Sequence, residues 1–232
     1  MTLYESFIGD YVFAPIPSPV LYKGKPVGIL LDNGHGTREY LPNSKRNCDG
    51  SIFEGEWSRE MVARMIPGLR AIGFDARCVV PEDKDINIHT RAKRANTIMK
   101  NEPDIAWFYL AVHLNAEHGG ERAWKPDSSG YIAYAAEKAS DFSCLWAKTQ
   151  VAMAREWGLG GNRSIPAEGF KRANFVVIHE TKMPAILTES LFMTNPTEAK
   201  FLTSEKGKQT IDNLHAAVLC KMFGVPYAVK IG

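Results

Sequence analysis

The run Val27-Gly28-Ile29-Leu30-Leu31 carries an apolar side chain at every position that has one, so it does not suit a strand with one wet face. A run of this length and composition belongs in a sheet covered on both sides. It leads directly into Asp32-Asn33-Gly34-His35-Gly36, a histidine between two glycines. Glycine permits unusual backbone angles and close approach of neighbouring groups. Open α/β sheets bind ligands just beyond the carboxyl ends of their strands. His35 therefore stands where such a fold keeps its chemistry. The same short motif also describes an ordinary turn histidine, so its weight depends on partner residues elsewhere in the chain.

The rest of the chain alternates strand and helix signals. Trp57, Met61, Met65 and Leu69, with Val62 and Ile66 beside them, form one apolar helical stripe. Pro67 is expected to kink or close that helix. A strand is predicted over 74–80, then a helix around Thr90 to Lys100 with Ala92, Ala95, Ile98 and Met99 on its inner side. Asp104 to Val112 is the strongest strand signal, and it delivers His113 at its carboxyl end. After a strand over Gly130 to Ala135 comes a long helix, about Lys138 to Trp157. Its inner side is expected to carry Phe142, Leu145, Trp146, Thr149, Met153 and Trp157, and Gly158, Gly160 and Gly161 stop it. Phe175 to Ile178 and Ala185 to Thr188 read as short strands, the second ending at Glu189. Asn195-Pro196-Thr197-Glu198 has the cap, the first-turn proline and the acidic residue of a helix start. A last helix near Glu205 to Met222 buries Ile211, Leu214, Val218, Leu219 and Met222. The alternation predicts an α/β fold, a mainly parallel sheet with helices on both faces.

Composition bounds the remaining choices. The 232 residues, 45% of them hydrophobic, suffice for one sizeable core in a single domain. Pro15, Pro17, Pro19 and Pro26 exclude a helix or central strand near the start, which predicts an irregular strap over 1–25 packed on a domain of 26–232. A net charge of +2 gives no ground for nucleic-acid binding and leaves an anionic substrate open. Cys48, Cys78, Cys144 and Cys220 show no CxxC spacing, so neither a zinc ribbon nor a disulfide scaffold is indicated. No apolar run approaches the ~20 residues of a membrane span. Met1 to Asp10 holds Glu5 and Asp10 and no basic residue, unlike a signal peptide. Synthesis in the cytoplasm is the expectation, although a chain trimmed of its leader would read the same.

Polar groups then fall at strand ends or a helix start: His35, Glu54 or Glu56, His113 and Glu189. Two histidines and a carboxylate suit catalytic zinc with an open fourth position. Such an ion brings the pKa of bound water to about 7. A second carboxylate would take the water's proton and pass it to a leaving amine. The set describes metal-assisted hydrolysis of an acyl bond. His89, His118, His179 and His215 lack strand-end placement and read as structural or surface; His118, five residues after His113, is the nearest in sequence.

These stretches resemble a family. Leu30-Leu31-Asp32-Asn33-Gly34-His35-Gly36 is similar to the opening motif of the zinc-dependent N-acetylmuramoyl-L-alanine amidases, the type 3 amidases. The likeness continues through Phe53-Glu54 before an amphipathic helix, Arg91 and Asn96 in the next helix, and Ala111-Val112-His113-Leu114-Asn115-Ala116. It ends with Pro184-Ala185-Ile186-Leu187-Thr188-Glu189, Phe192 and Asn195, so the blocks run in family order across about 26–223. The resemblance implies a mixed, mostly parallel sheet and a peptidoglycan substrate cut between N-acetylmuramic acid and L-alanine. It implies zinc held by His35, Glu54 and His113, with Glu189 as general base and acid. It places the ligand three residues before the first buried position of its helix, which matches Glu54 and Trp57. If the helical turn extends back over them, Glu54 and Glu56 lie ~200° apart around the axis and do not share one ligand.

Some positions depart from the family pattern. Thr37-Arg38 replaces the usual glycine after the first motif, and Leu191 stands where a glycine is usual. Arg38 would offer a positive group to an acidic stem peptide, Leu191 would reshape the pocket floor, and Asn115 would supply a hydrogen-bonding group at the site. The expected partner is peptidoglycan alone, met by a monomer acting at the bacterial cell wall, as a phage lysin does or after removal of a leader. The alternatives are another zinc peptidase, such as a carboxypeptidase with an arginine clamp from Arg38, Arg91 or Arg163, and a catalytically inactive relative that binds cell wall.

Overall fold

A computed structural model describes residues 9–12, 18–40, 45–226 and 228–231. In chain order its first elements are β1 (Gly9–Val12), β2 (Leu21–Tyr22), β3 (Lys25–Asn33), α1 (Glu54–Ile72), β4 (Asp75–Cys78) and α2 (Ile88–Asn101). Then come β5 (Ala106–Asn115), β6 (Ile132–Ala135), α3 (Asp141–Glu156), β7 (Lys171–Arg172) and α4 (Val176–His179). The last are β8 (Ala185–Phe192), α5 (Pro196–Thr203), α6 (Glu205–Phe223) and β9 (Ala228–Ile231). Seven strands form one mixed sheet in the order β2-β3-β5-β8-β6-β7, with β4 also on β3. The pairs of β3 with β4 and β5, of β5 with β8, and of β6 with β7 are parallel, whereas β2–β3 and β6–β8 are antiparallel. Strands β1 and β9 form a separate antiparallel ribbon. Of the irregular strap expected over 1–25, residues 9–12 and 18–25 are described and include the paired strands β1 and β2, while Pro15 and Pro17 lie outside the described residues.

Strand geometry accounts for the continuous apolar runs. Successive side chains point to opposite faces, and here both faces are covered. Ile29 and Leu31 of β3 and Phe108, Leu110 and Val112 of β5 join Met61, Met65, Trp146, Leu214 and Val218 in the larger core. Leu30, Trp107, Tyr109 and Ala111 join Ala95 of α2 and Val177 and Ile178 of α4 on the other side.

Three local expectations change. Helix α1 runs through Pro67 to Ile72 and is closed by Gly73, whose N–H bonds Leu69 and Arg70 carbonyls. Pro67 and Ala63 are both exposed, so the carbonyl that proline leaves without a helical donor faces water. On α3, Leu145 is 56% exposed, and the buried face includes Ser143 and Gln150 instead. Those polar residues are tolerated because Ser143 Oγ accepts from the Ala185 N–H at 3.0 Å and Gln150 Nε2 donates to Tyr131 Oη at 3.0 Å. The stretch predicted as a strand at Phe175 to Ile178 is the single-turn helix α4. A four-residue apolar run has no diagnostic period, and both edges of β8 are already paired with β5 and β6.

Strand β8 extends past Glu189. His113 pairs with Glu189 but Asn115 pairs with Phe192, so β8 carries one extra residue over that stretch. Leu191 adopts φ 73°, the left-handed backbone that such a bulge often requires. Its side chain is fully buried in the larger core and does not line the cleft beside Glu189, contrary to the expected effect on the pocket floor. Leu191→Gly should relieve about 1–2 kcal/mol of backbone strain while removing buried leucine packing of about 2–5 kcal/mol. Net destabilisation is expected, read as a lower urea midpoint; a raised midpoint would show that strain dominates. Beyond the bulge, Asn195 Oδ1 caps α5 by accepting from the N–H groups of Thr197 and Glu198 at 2.9 and 3.1 Å.

Candidate metal centre

The order β3-β5-β8 sets three strand ends side by side. His35 lies just beyond β3, His113 near the end of β5, and Glu189 directly beside His113 on β8. Glu54 is the first residue of α1 and is 1% exposed. Its Oε1 lies 2.8 Å from His113 Nδ1 and 3.5 Å from His35 Nε2, and it accepts the Leu114 N–H at 3.2 Å. The two imidazoles stand perpendicular, with centroids 5.2 Å apart. One donor atom from each of His35, Glu54 and His113 falls within 4.8 Å of the others.

Close packing of the backbone makes this convergence possible. A Cβ at Gly34 would lie 2.0 Å from the His113 ring, and one at Gly55 would lie 2.0 Å from the Gly36 carbonyl oxygen. Both positions exclude a larger residue. His35 itself takes the left-handed φ of 57°, which is uncommon for a residue with a side chain. Its carbonyl accepts from Arg59 Nη1 at 2.6 Å and Arg91 Nη2 at 3.4 Å, which fixes that turn. Arg91 also donates to Asp32 Oδ1 at 2.5 Å, to the Asn33 carbonyl at 3.0 Å and to Asp85 at 3.2 Å. Tyr109 donates its hydroxyl to the other oxygen of Asp32. Burial, followed by the Asp32 charge, raises the Tyr109 pKa and keeps that proton on the phenol.

Electrostatics separate the two acids. Burial pushes the Glu54 carboxyl up, but hydrogen bonds and charge from His113 and His35 outweigh it and hold the group well below the usual range. Burial, and next the charge of Glu54, push Glu189 up to about 8, with Lys45 and His35 pulling the other way. Glu54 Oε2 and Glu189 Oε2 are both buried without a hydrogen-bond partner. Buried carboxylate oxygens without donors are costly unless a cation serves them. Two imidazoles and an ionised carboxylate are also the donor types zinc takes. The residues therefore fit a bound zinc ion.

The other sequence candidates are not among the converging donors. Arg38 donates from Nε and Nη2 to Glu56 at 2.6 and 2.5 Å and stacks on Phe53 at 4.1 Å. Glu56 is thus drawn to Arg38 and is not among the converging donors. Asn115 Oδ1 accepts from the Ala116 N–H at 2.9 Å. His118 and His179 are exposed and His89 pairs with Glu180, while buried His215 meets Gln150, its pKa lowered to about 3 by burial. Asn96 holds the chain before β8 through Glu180 and Lys182. Sequence reading missed Arg59 and Lys45. Arg59 looks like any helix-surface arginine, and Lys45 sits in a polar loop without a pattern. A cleft of about 320 Å³ joins Lys45, His35, His113 and Glu189 to Ile88, Phe175, Val176 and Leu187.

A family model described as N-acetylmuramoyl-L-alanine amidase matches residues 29–221. The chain is 23% identical over 202 residues to an endolysin of Bacillus phage SPP1, covering 85% of this chain and 66% of the relative. It is 25% identical over 174 residues to the N-acetylmuramoyl-L-alanine amidase LytC of Bacillus subtilis (strain 168), covering 75% of this chain and 31% of that one. The chain thus spans less than two thirds of either relative's length. Among solved structures, its fold is similar to that of the N-acetylmuramyl-L-alanine amidase Ami1 from Mycobacterium smegmatis. There the TM-score is 0.72 at 15% identity, over 90% of this chain and 100% of the other.

Proposed function

The chain belongs to the N-acetylmuramoyl-L-alanine amidase family, and on that premise we propose that it hydrolyses the amide between N-acetylmuramic acid and the L-alanine of the peptidoglycan stem peptide. The observation that carries this reading is the buried convergence of His35, Glu54 and His113 with Glu189 on the adjoining strand. His35, Glu54 and His113 would hold zinc, which when bound supplies Lewis-acid activation for the hydrolysis of an acyl bond. Glu189 would accept the proton of the attacking water and deliver it to the leaving amine. A carboxylate with raised proton affinity suits a group that must first take a proton and then release it. Glu54 approaches both imidazoles, and Arg59 and Arg91 keep His35 in its turn. Its place of action would be the bacterial cell wall, where the substrate is.

Two features support this reading over a carboxypeptidase. Of the arginines available for a terminal-carboxylate clamp, Arg38 is paired with Glu56, Arg91 with Asp32 and Asp85, and Arg163 with Glu117. The match to the family model also extends through all the blocks that carry the candidate site. Protein purified without added metal should contain about one zinc per chain, and it should release stem peptide with a free L-alanine amino terminus from purified sacculi. Folded protein that takes up no zinc when supplied with it, or products cut at another bond by mass spectrometry, would overturn the assignment.

A further inference from the structure

The cleft beside the metal centre is unequal in its walls. Ile88 and Phe175 are 48% and 40% exposed there, and Val176, Val177 and Leu187 continue the apolar side. Tyr134 packs edge-on to Phe175 with ring centroids 5.1 Å apart, which holds the aromatic ring in place. Such a wall suits a small apolar side chain next to the scissile amide. The charged lining is otherwise mutually committed: Arg91 serves Asp32 and Asp85, and the remaining groups are the metal centre and Glu189.

Lys45 is different. It lines the same cleft, where its charge acts on Glu189, and its side chain makes no close ion pair or hydrogen bond with the described residues. Its backbone carbonyl accepts the Glu54 N–H at 3.0 Å, so it is anchored at the metal centre. Arg38, another cation near this loop, spends its guanidinium on Glu56 and the face of Phe53, and Arg46, the residue after Lys45, does not line the cleft. We propose that Lys45 recognises a free carboxylate on the second residue of the stem peptide, so that the cleft selects an acidic stem over one carrying the carboxamide there. This rests on the amidase reading and adds a specificity determinant to it. A compact ammonium binds a carboxylate by a charge-assisted hydrogen bond, which a neutral carboxamide returns more weakly.

Two soluble N-acetylmuramoyl dipeptides test this, one with the second-residue carboxylate free and one with it as the carboxamide. The full-length protein should prefer the free acid by roughly ten-fold in kcat/KM, chiefly through KM, as expected for a charged hydrogen bond made equally in ground and transition states. Lys45→Met should reduce that ratio to about two-fold or less, and Lys45→Arg should keep most of it. Raising the salt concentration should narrow the ratio in the unaltered protein, because an exposed charge pair is screened, and this arm remains if the methionine variant does not fold. A ratio near one in the unaltered protein, a ratio insensitive to both salt and Lys45→Met, or a ratio lost in Arg38→Ala and kept in Lys45→Met would overturn the proposal. Failure to cleave either compound, with sacculi also left intact, would instead count against the amidase reading.

Discussion

Glu189→Ala is expected to remove amide hydrolysis by about 10²–10⁴-fold, the range typical of a lost general acid–base group, while zinc stays bound. The separation comes from geometry. Glu189 sits on β8 beside His113 but is not one of the three converging donors. Its carboxyl is raised by burial and by the Glu54 charge, so removing it also removes a repulsion from the pair. The alanine variant should therefore fold and retain metal as well as the unaltered protein, and the loss should lie in kcat more than in KM. Zinc content by elemental analysis, together with stem-peptide release from sacculi, reads both quantities. An inactive variant that has also lost its zinc would make Glu189 a ligand, and an active variant would remove it from the chemistry.

Glu54→Gln is expected to weaken zinc affinity by at least about 100-fold, beyond the 10–100-fold usual for loss of an outer-shell partner. Glu56→Gln should leave the affinity within about five-fold, since an exposed pair contributes at most about 1 kcal/mol. Both acids are in the first turn of α1, yet ~200° of helical rotation separates them. Glu54 is buried against His35, His113 and the Leu114 N–H, whereas Glu56 has a 32% exposed side chain bonded to Arg38. Zinc retention in a graded chelator series measures the contrast. The reverse ranking would move the ligand to Glu56 and break the site as described.

The amino-acid sequence by itself determined the features that depend on near neighbours. Continuous apolar runs at Val27–Leu31 and Ile105–Val112 require strands covered on both faces, and the four-residue repeat from Trp57 requires an amphipathic helix. The Asn195 cap is likewise local, since its partners lie two and three residues away. Predicted strand ends also indicated His35, His113 and Glu189, although β8 itself continues past Glu189 to Phe192.

Tertiary structure decided what depends on contact across the chain. Glu54 and His113 meet over 59 positions of sequence, and that contact, together with the one to His35, is what separates Glu54 from Glu56. The same holds for Arg38, whose charge read as available until its partner came from a different element. Whether Phe175–Ile178 paired as a strand depended on a free sheet edge, and β5 and β6 had taken both edges of β8. Leu191 could be placed at its bulge only from the register of β8 against β5. Local propensity reads a few residues on either side, whereas ion pairing, edge pairing and burial are set by distances that exist only after the sheet has formed.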